Sequence, residues 1–176
     1  MYNIIMTAKG ATDMKTVIVY YSLGGFTKKI AQQLAAKTGA DLLRLTPVKE
    51  YPNEGAKKFI VGGRAAVAGS KPKLQPYHFN AEKYDRVVFG SPVWASSPAP
   101  PIRTFIEDNR DALGGKELAA FFTQLGNGAE KANRKLAKCL GKDKIEPEMI
   151  FFEPNKKDAH KENEAKLGDF AAVLGR

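Results

Sequence analysis

A chain of 176 residues, 43% hydrophobic and 27% charged, has the length and balance of one self-sufficient globular domain, and no apolar run approaches the roughly 18 residues that span a bilayer. The single cysteine, Cys139, excludes an internal disulfide and any cysteine-rich metal or iron–sulfur site, which fits a reducing compartment and makes the cytoplasm the expected setting. A net charge of +9 favours acidic partners, but Lys and Arg are dispersed and carry no helix-turn-helix, zinc-finger or aromatic RNA-binding signature, so nucleic acid is not expected.

Met1 to Asp13 holds only the short apolar run Ile4-Ile5-Met6 and lacks the layout of a secretory signal. It is expected to be a loosely held leader, with the compact domain running from Met14 to Arg176. Val17 to Tyr21 is a continuous β-branched and aromatic run, the pattern of a central parallel strand covered on both faces. It stops at Ser22. Ser22, Gly24, Gly25 and Thr27 then supply two hydroxyls and two residues without a Cβ, which lets backbone N–H groups approach an anion where a helix begins. The stretch reads as a site for a terminal phosphate. The helix itself carries Ile30, Ala31, Leu34 and Ala35 on one face and is expected to stop at Gly39. Lys28 and Lys29 in its first turn oppose the helix dipole unless an anion sits nearby, although two solvated surface lysines would read the same way.

Asp41 to Leu45 reads as a second, edge-like strand closed by Pro47, and Val48 to Asn53 as a loop. Ala56, Phe59, Ile60, Gly63 and Val67 recur at helical spacing, giving a second helix weakened by Gly62 and Gly63 and ending near Gly69. Pro72 and Pro76 keep Ser70 to Phe79 extended and irregular. Asp85 to Gly90 is a third strand, and the proline-rich stretch from Ser91 to Pro101, with the only tryptophan, Trp94, is expected to be a loop. A third helix carries Ile102, Phe105 and Ile106 and runs to Gly114-Gly115. Leu118 to Thr123 is a fourth strand, Gln124 to Gly128 a third turn, and a fourth helix carries Ala129, Ala132, Leu136 and Leu140 up to Gly141. Met149 to Phe152 is the fifth strand. The last helix, capped near Asn155, aligns Asn163, Leu167, Phe170 and Leu174.

Five strands alternating with five helices indicate an α/β doubly wound sheet, in which ligands bind beyond the carboxyl ends of the strands. The loops beginning at Ser22, Ser91 and Gln124 follow the first, third and fourth strands, so one ligand there touches all three. Trp94, in a proline-rich loop just past a strand, is better placed to face a ligand than to fill a core. Cys139 has no activating partner in view and reads as packing; His78 and His160 read as exposed, and Tyr51 and Tyr77 as local packing. An acidic phospho-accepting pocket is excluded by Tyr21 and Gly90 at the strand ends, and neither a Walker loop nor a Gly-x-Gly-x-x-Gly fingerprint follows the first strand.

Tyr-Tyr-Ser-Leu-Gly-Gly-Phe-Thr-Lys-Lys-Ile-Ala, then Tyr-Asp-Arg-Val-Val-Phe-Gly-Ser-Pro-Val-Trp with Pro98 and Pro100 behind it, then Gly-Gly-Lys-Glu-Leu-Ala-Ala-Phe-Phe-Thr, resemble the flavodoxin family from about Lys15 to the C-terminus. The resemblance implies a flavodoxin-like three-layer sandwich around a five-stranded parallel sheet in order 2-1-3-4-5, and a non-covalent FMN. It implies that Ser22, Gly25 and Thr27 hold the phosphate, with Gly24 standing where the family usually has a hydroxyl and Phe26 where a polar residue is common. The lost charge-assisted hydrogen bond is worth about 1.5–3 kcal/mol, partly offset by the exposed glycine backbone, so a lowered FMN affinity is expected. The resemblance further implies that Trp94 stacks on the flavin, that Ser91, Pro92 and Val93 line the same face, and that Gly126, Asn127 and Gly128 approach its polar edge. No metal and no proton-transferring side chain are called for.

The function expected from the resemblance is electron transfer by an FMN flavoprotein, to a redox partner protein or a small-molecule acceptor, with an acidic partner favoured by the positive charge. Two alternatives stand beside it: an FMN-dependent NAD(P)H:quinone-type oxidoreductase on the same fold, and a flavin-free module of that fold, for which Gly24 and Phe26 are the main support.

Overall fold

A computed structural model describes residues 14–54, 57–153 and 158–175. The expected leader, Ala56 in the second helix and the cap at Asn155 lie outside the described residues. In chain order the elements are β1 (Thr16–Tyr20), α1 (Phe26–Thr38), β2 (Asp41–Arg44), α2 (Lys57–Val67), a short 3-10 turn (Ala81–Lys83), β3 (Arg86–Trp94), β4 (Ser97–Pro98), α3 (Pro100–Asp108), α4 (Arg110–Leu113), β5 (Glu117–Gln124), α5 (Ala129–Cys139), β6 (Glu148–Phe152) and α6 (Ala159–Leu174).

The sheet runs β2-β1-β3-β5-β6 with all four pairings parallel, the doubly wound order expected, and β4 adds a short antiparallel pairing to β3. Alternating residues of each strand feed opposite layers. Val17, Val19, Val87, Phe89, Ala120 and Phe122 pack against α3 and α5 through Ile102, Phe105, Ile106 and Leu136. Ile18, Tyr20, Val88, Ala119, Phe121 and Phe151 meet α1 and α6 through Ile30, Leu34, Leu167 and Phe170. Each fully buried Val, Leu, Ile or Phe contributes about 1.5–3 kcal/mol of transfer free energy, so the continuous apolar runs of the central strands drive the three-layer arrangement.

At Gly90, β3 fits closely between its two neighbours: a Cβ there would lie 2.4 Å from Phe121 Cζ on β5 and 3.0 Å from Tyr20 Cβ on β1. Two buried asparagines satisfy backbone groups of segments packed against their helices. Asn133 on α5 donates through Nδ2 to the Ile145 carbonyl (2.9 Å) and accepts from the Ile145 N–H (3.0 Å). Asn163, expected among the apolar positions of the last helix, brackets Phe152 on the edge strand β6 in the same way. Arg86, buried at the start of β3, donates to Glu117 Oε2 (2.9 Å) and to the carbonyl of Leu174 at the end of α6.

Two expected boundaries are corrected. The stretch from Ser91 is not a loop to Pro101: β3 continues to Trp94 and folds back as β4, with Val93 paired to Pro98 and Trp94 to Ser97. The intervening Ala95 and Ser96 both have positive φ, 48° and 53°, the backbone of a two-residue type I′ turn. The third helix ends at Asp108 rather than at Gly114. Asn109 breaks it, because its Nδ2 donates to the Phe105 carbonyl (2.8 Å) and to Tyr77 Oη (2.9 Å), and α4 follows as a separate turn. The segment from Ser70 is extended as expected and lies against the chain after β2, through hydrogen bonds from Val48 N to Lys73 O and from Gln75 N to Thr46 O.

Candidate functional site

Beyond the carboxyl ends of the parallel strands, the loops after β1, β3 and β5 close around a cavity of about 360 Å³, within the range that holds small molecules. The first loop contributes Ser22, Leu23, Gly24, Phe26 and Thr27. Ser22 is 3% exposed, and its Oγ is buried without a hydrogen-bond partner. An unpaired buried hydroxyl costs about 1–3 kcal/mol, a cost removed when a ligand accepts its proton.

Gly25, at φ 89°, forms the N-cap of α1, a conformation that L side chains rarely adopt. It offers no side chain to cap the helix, and the first turn holds no acidic residue. The positive end of a 13-residue helix is therefore left without a carboxylate of its own. Gly24 differs from Gly25: its φ is not positive, and an added Cβ would meet only Asn53 Oδ1, at 3.9 Å. Crowding does not explain the missing hydroxyl there. Thr27, 2% exposed, has its Oγ1 2.8 Å from Thr123 Oγ1 at the end of β5.

The second wall is the β3–β4 hairpin, through Pro92, Val93, Trp94 and Ala95. Ser91 is fully buried and does not line the cavity; its Oγ accepts from Ala99 N and donates to the Pro92 carbonyl, both at 2.9 Å, which holds the hairpin to the start of α3. Trp94 borders the cavity and also packs edge to face with Tyr21 (centroids 5.6 Å) and Tyr51 (5.1 Å). A Cβ at Gly62 of α2 would lie 3.0 Å from Trp94 Cε3, so the absence of a side chain there admits the indole. Tyr21 Oη is buried without a partner, and burial, with the nearby Glu50 carboxylate, pushes its pKa up, which keeps it neutral.

The third wall is Gln124, Leu125, Gly126 and Asn127. Gln124 Oε1 accepts from Ala129 N (3.1 Å) and caps α5 from the end of β5. Gly128, at φ 103°, does not line the cavity; a Cβ there would lie 2.7 Å from Ser96 Oγ, so it lets the tips of the second and third loops touch.

The cavity thus includes nine of the twelve residues singled out in the sequence; Gly25, exposed, Ser91, buried, and Gly128 do not line it. Leu23, Asn53, Gly63, Ala95, Gln124, Leu125 and Glu153 also line it and were not singled out. Gln124 and Glu153 directly end or follow parallel strands, so the carboxyl-end rule alone would have found them. Gly63 carried no such signal, because only the packing of α2 on the hairpin brings it there. Among the described residues no group of three or more His, Cys, Asp or Glu is arranged to hold a metal, and no helix is long and apolar enough to cross a membrane.

The residues fit a phosphate-bearing ligand: a buried hydroxyl without an acceptor, a helix N-terminus without an acid and an open glycine approach meet on one side of the cavity, with aromatic and apolar walls on the other. A flavoprotein from Lactobacillus acidophilus NCFM, crystallised in complex with FMN, is 25% identical, with a TM-score of 0.66 over 78% of this chain and 92% of that one. A protein named as a flavoprotein from Bacteroides eggerthii DSM 20697 is 27% identical, with a TM-score of 0.67 over 90% and 98% of the two chains. A flavodoxin from the domain Archaea, 16% identical with a TM-score of 0.54 over 93% and 100%, shares the fold. None of the curated proteins matches. The family model described as Flavodoxin matches residues 15–164, the whole sheet and all three loops, and the chain belongs to the flavodoxin family.

Proposed function

We propose that this chain binds FMN non-covalently in the cavity at the carboxyl edge of the sheet and serves as an electron-transfer flavoprotein, with the cytoplasm as its setting. The observation that carries the reading is the buried Ser22 hydroxyl with no acceptor, beside the uncapped N-terminus of α1. Ser22 and Thr27, with the N–H groups around Gly24 and Gly25, are the groups that would hold the phosphate. Lys28 and Lys29 add positive charge in the same helical turn. Pro92, Val93 and Trp94 on one side and Leu125, Gly126 and Asn127 on the other would enclose the ring system and exclude water from it. FMN, when bound, supplies the redox chemistry by accepting and releasing electrons. The protein's part is to bind, orient and tune.

The net charge of +9 favours negative charge on whatever the cavity holds and attracts acidic partners. A low-potential couple less negative than that of an acidic carrier is therefore expected, and a redox titration giving a strongly negative one would count against this. Visible absorbance of the purified protein, with Trp94 fluorescence followed during FMN titration, tests the binding itself. Flavin bands and quenching support it; a colourless protein unresponsive to FMN returns the flavin-free reading.

A second reading, an FMN-dependent NAD(P)H:quinone-type oxidoreductase, has one observation behind it. An open trough formed by Ile60, Arg64, Val67 and Ala68 of the second helical segment continues from the cavity through the shared Gly63 and Ala95. Steady-state turnover with NAD(P)H and a quinone separates this enzyme from a carrier.

A further inference from the structure

The hydroxyl pair of Thr27 and Thr123 carries more than a sheet contact. The two residues are 96 positions apart, 2% and 1% exposed, and their Oγ1 atoms lie 2.8 Å from one another. Thr27 borders the cavity and Thr123 does not. Each hydroxyl has one proton to donate and can accept others, so one proton lies between the two oxygens and a second remains to be placed. If Thr27 is the donor, the second proton stays on Thr123, behind the cavity wall. If Thr123 is the donor, the second proton is on Thr27, the member of the pair that reaches the cavity.

We infer that Thr123 is a positioning residue for phosphate recognition: it donates its proton to Thr27 Oγ1 and so leaves the Thr27 proton free to be donated to the phosphate of the bound ligand. This rests on the FMN reading of the cavity. An anion at the N-terminus of α1 selects this direction, because it accepts a hydrogen bond and offers none. Hydrogen bonds arranged in series also polarise one another, which makes Thr27 a better donor than a lone threonine. The site would then be tied together across the sheet, with the first loop oriented from the end of β5 and no contact between Thr123 and the ligand.

The test compares wild-type full-length protein with Thr123→Val and Thr123→Ser, titrated with FMN and with riboflavin, which lacks the phosphate. Valine keeps the branched shape of the strand residue and removes the donor; serine keeps the donor. Thr123→Val is expected to weaken FMN about 2- to 12-fold, up to the loss of the one hydrogen bond that an unheld Thr27 hydroxyl no longer directs to the phosphate, while changing riboflavin affinity less than about twofold, with Thr123→Ser close to wild type for both. The protection that inorganic phosphate gives the apoprotein against thermal unfolding should fall in Thr123→Val and persist in Thr123→Ser. Equal weakening of FMN and riboflavin would make Thr123 a packing residue and overturn the inference, as would unchanged FMN binding in Thr123→Val. Loss of the FMN preference in Thr123→Ser would also overturn it, since the donor is still present. If the wild-type protein itself binds FMN no better than riboflavin, the phosphate site falls and this role falls with it.

Discussion

Replacing Ser22 by Ala should move the empty and the FMN-loaded protein in opposite directions. In the empty protein the Ser22 hydroxyl is buried and without a partner, a condition that costs about 1–3 kcal/mol, while the oxygen itself contributes little packing. Removing it should therefore stabilise the apoprotein by roughly 1–2 kcal/mol. For a domain of this size that raises Tm by about 2–8 °C. With FMN present, the same hydroxyl is expected to donate to the phosphate, a charge-assisted bond worth about 1.5–3 kcal/mol, so its loss should weaken FMN about 10- to 150-fold. Thermal melts of the apoprotein and fluorescence titration with FMN read the two effects separately, and riboflavin serves as the phosphate-free control. A fall in apoprotein Tm would show that the hydroxyl is satisfied or that its packing dominates. Unchanged FMN affinity would place the phosphate away from Ser22 and refute the reasoning.

Gly90→Ala should destabilise the protein by about 1–3 kcal/mol through overpacking, because the new methyl group meets Phe121 and Tyr20 in the layer between sheet and helices; the midpoint of urea unfolding should fall with little change in slope. Asn133→Ala should cost about 2–5 kcal/mol, since it strands the buried Ile145 N–H and carbonyl together, and hydrogen exchange at Ile145 should accelerate more than in β1. Ala95→Gly should raise stability by roughly 0.5–1 kcal/mol, because the positive φ that strains alanine is open to glycine and its relief exceeds the added unfolded-state entropy; a lower Tm would contradict this. At Asp41, hydrogen bonds from Lys83 Nζ (2.6 Å) and Tyr84 Oη (2.8 Å) hold the carboxyl below its usual pKa. A depressed folded-state value means that the stabilisation is present above the unfolded-state pKa and is lost as pH falls through the folded one. Asp41→Asn should therefore lower Tm modestly at pH 7, as befits an exposed pair, and the difference from wild type should shrink as pH falls below the ordinary carboxylate range.

The sequence by itself determined the layering and the edge where the site lies. Val17 to Tyr21, Val87 to Phe89 and Ala119 to Phe122 are apolar without alternation, which only strands buried on both faces tolerate, and their alternation with amphipathic helices leaves the parallel order little freedom. Gly25 and Gly39 marked the ends of α1 because a positive φ is a local property that a single residue announces. Tertiary structure decided what depends on register between distant strands. The continuation of β3 through Pro92 to Trp94 was hidden, since prolines argue against a strand until an antiparallel partner at Ser97 and Pro98 and a hydroxyl at Ser91 hold them there. Trp94 could be placed beside the cavity from sequence, but its contacts with Tyr21, Tyr51 and the bare backbone of Gly62 could not. Asn163 aligned with the apolar positions of the last helix and Asn133 carried no local signal, because their partners are backbone groups elsewhere in the chain. The meeting of Thr27 and Thr123 across 96 residues was fixed by the sheet order and pairing register, and no local pattern in either segment records it.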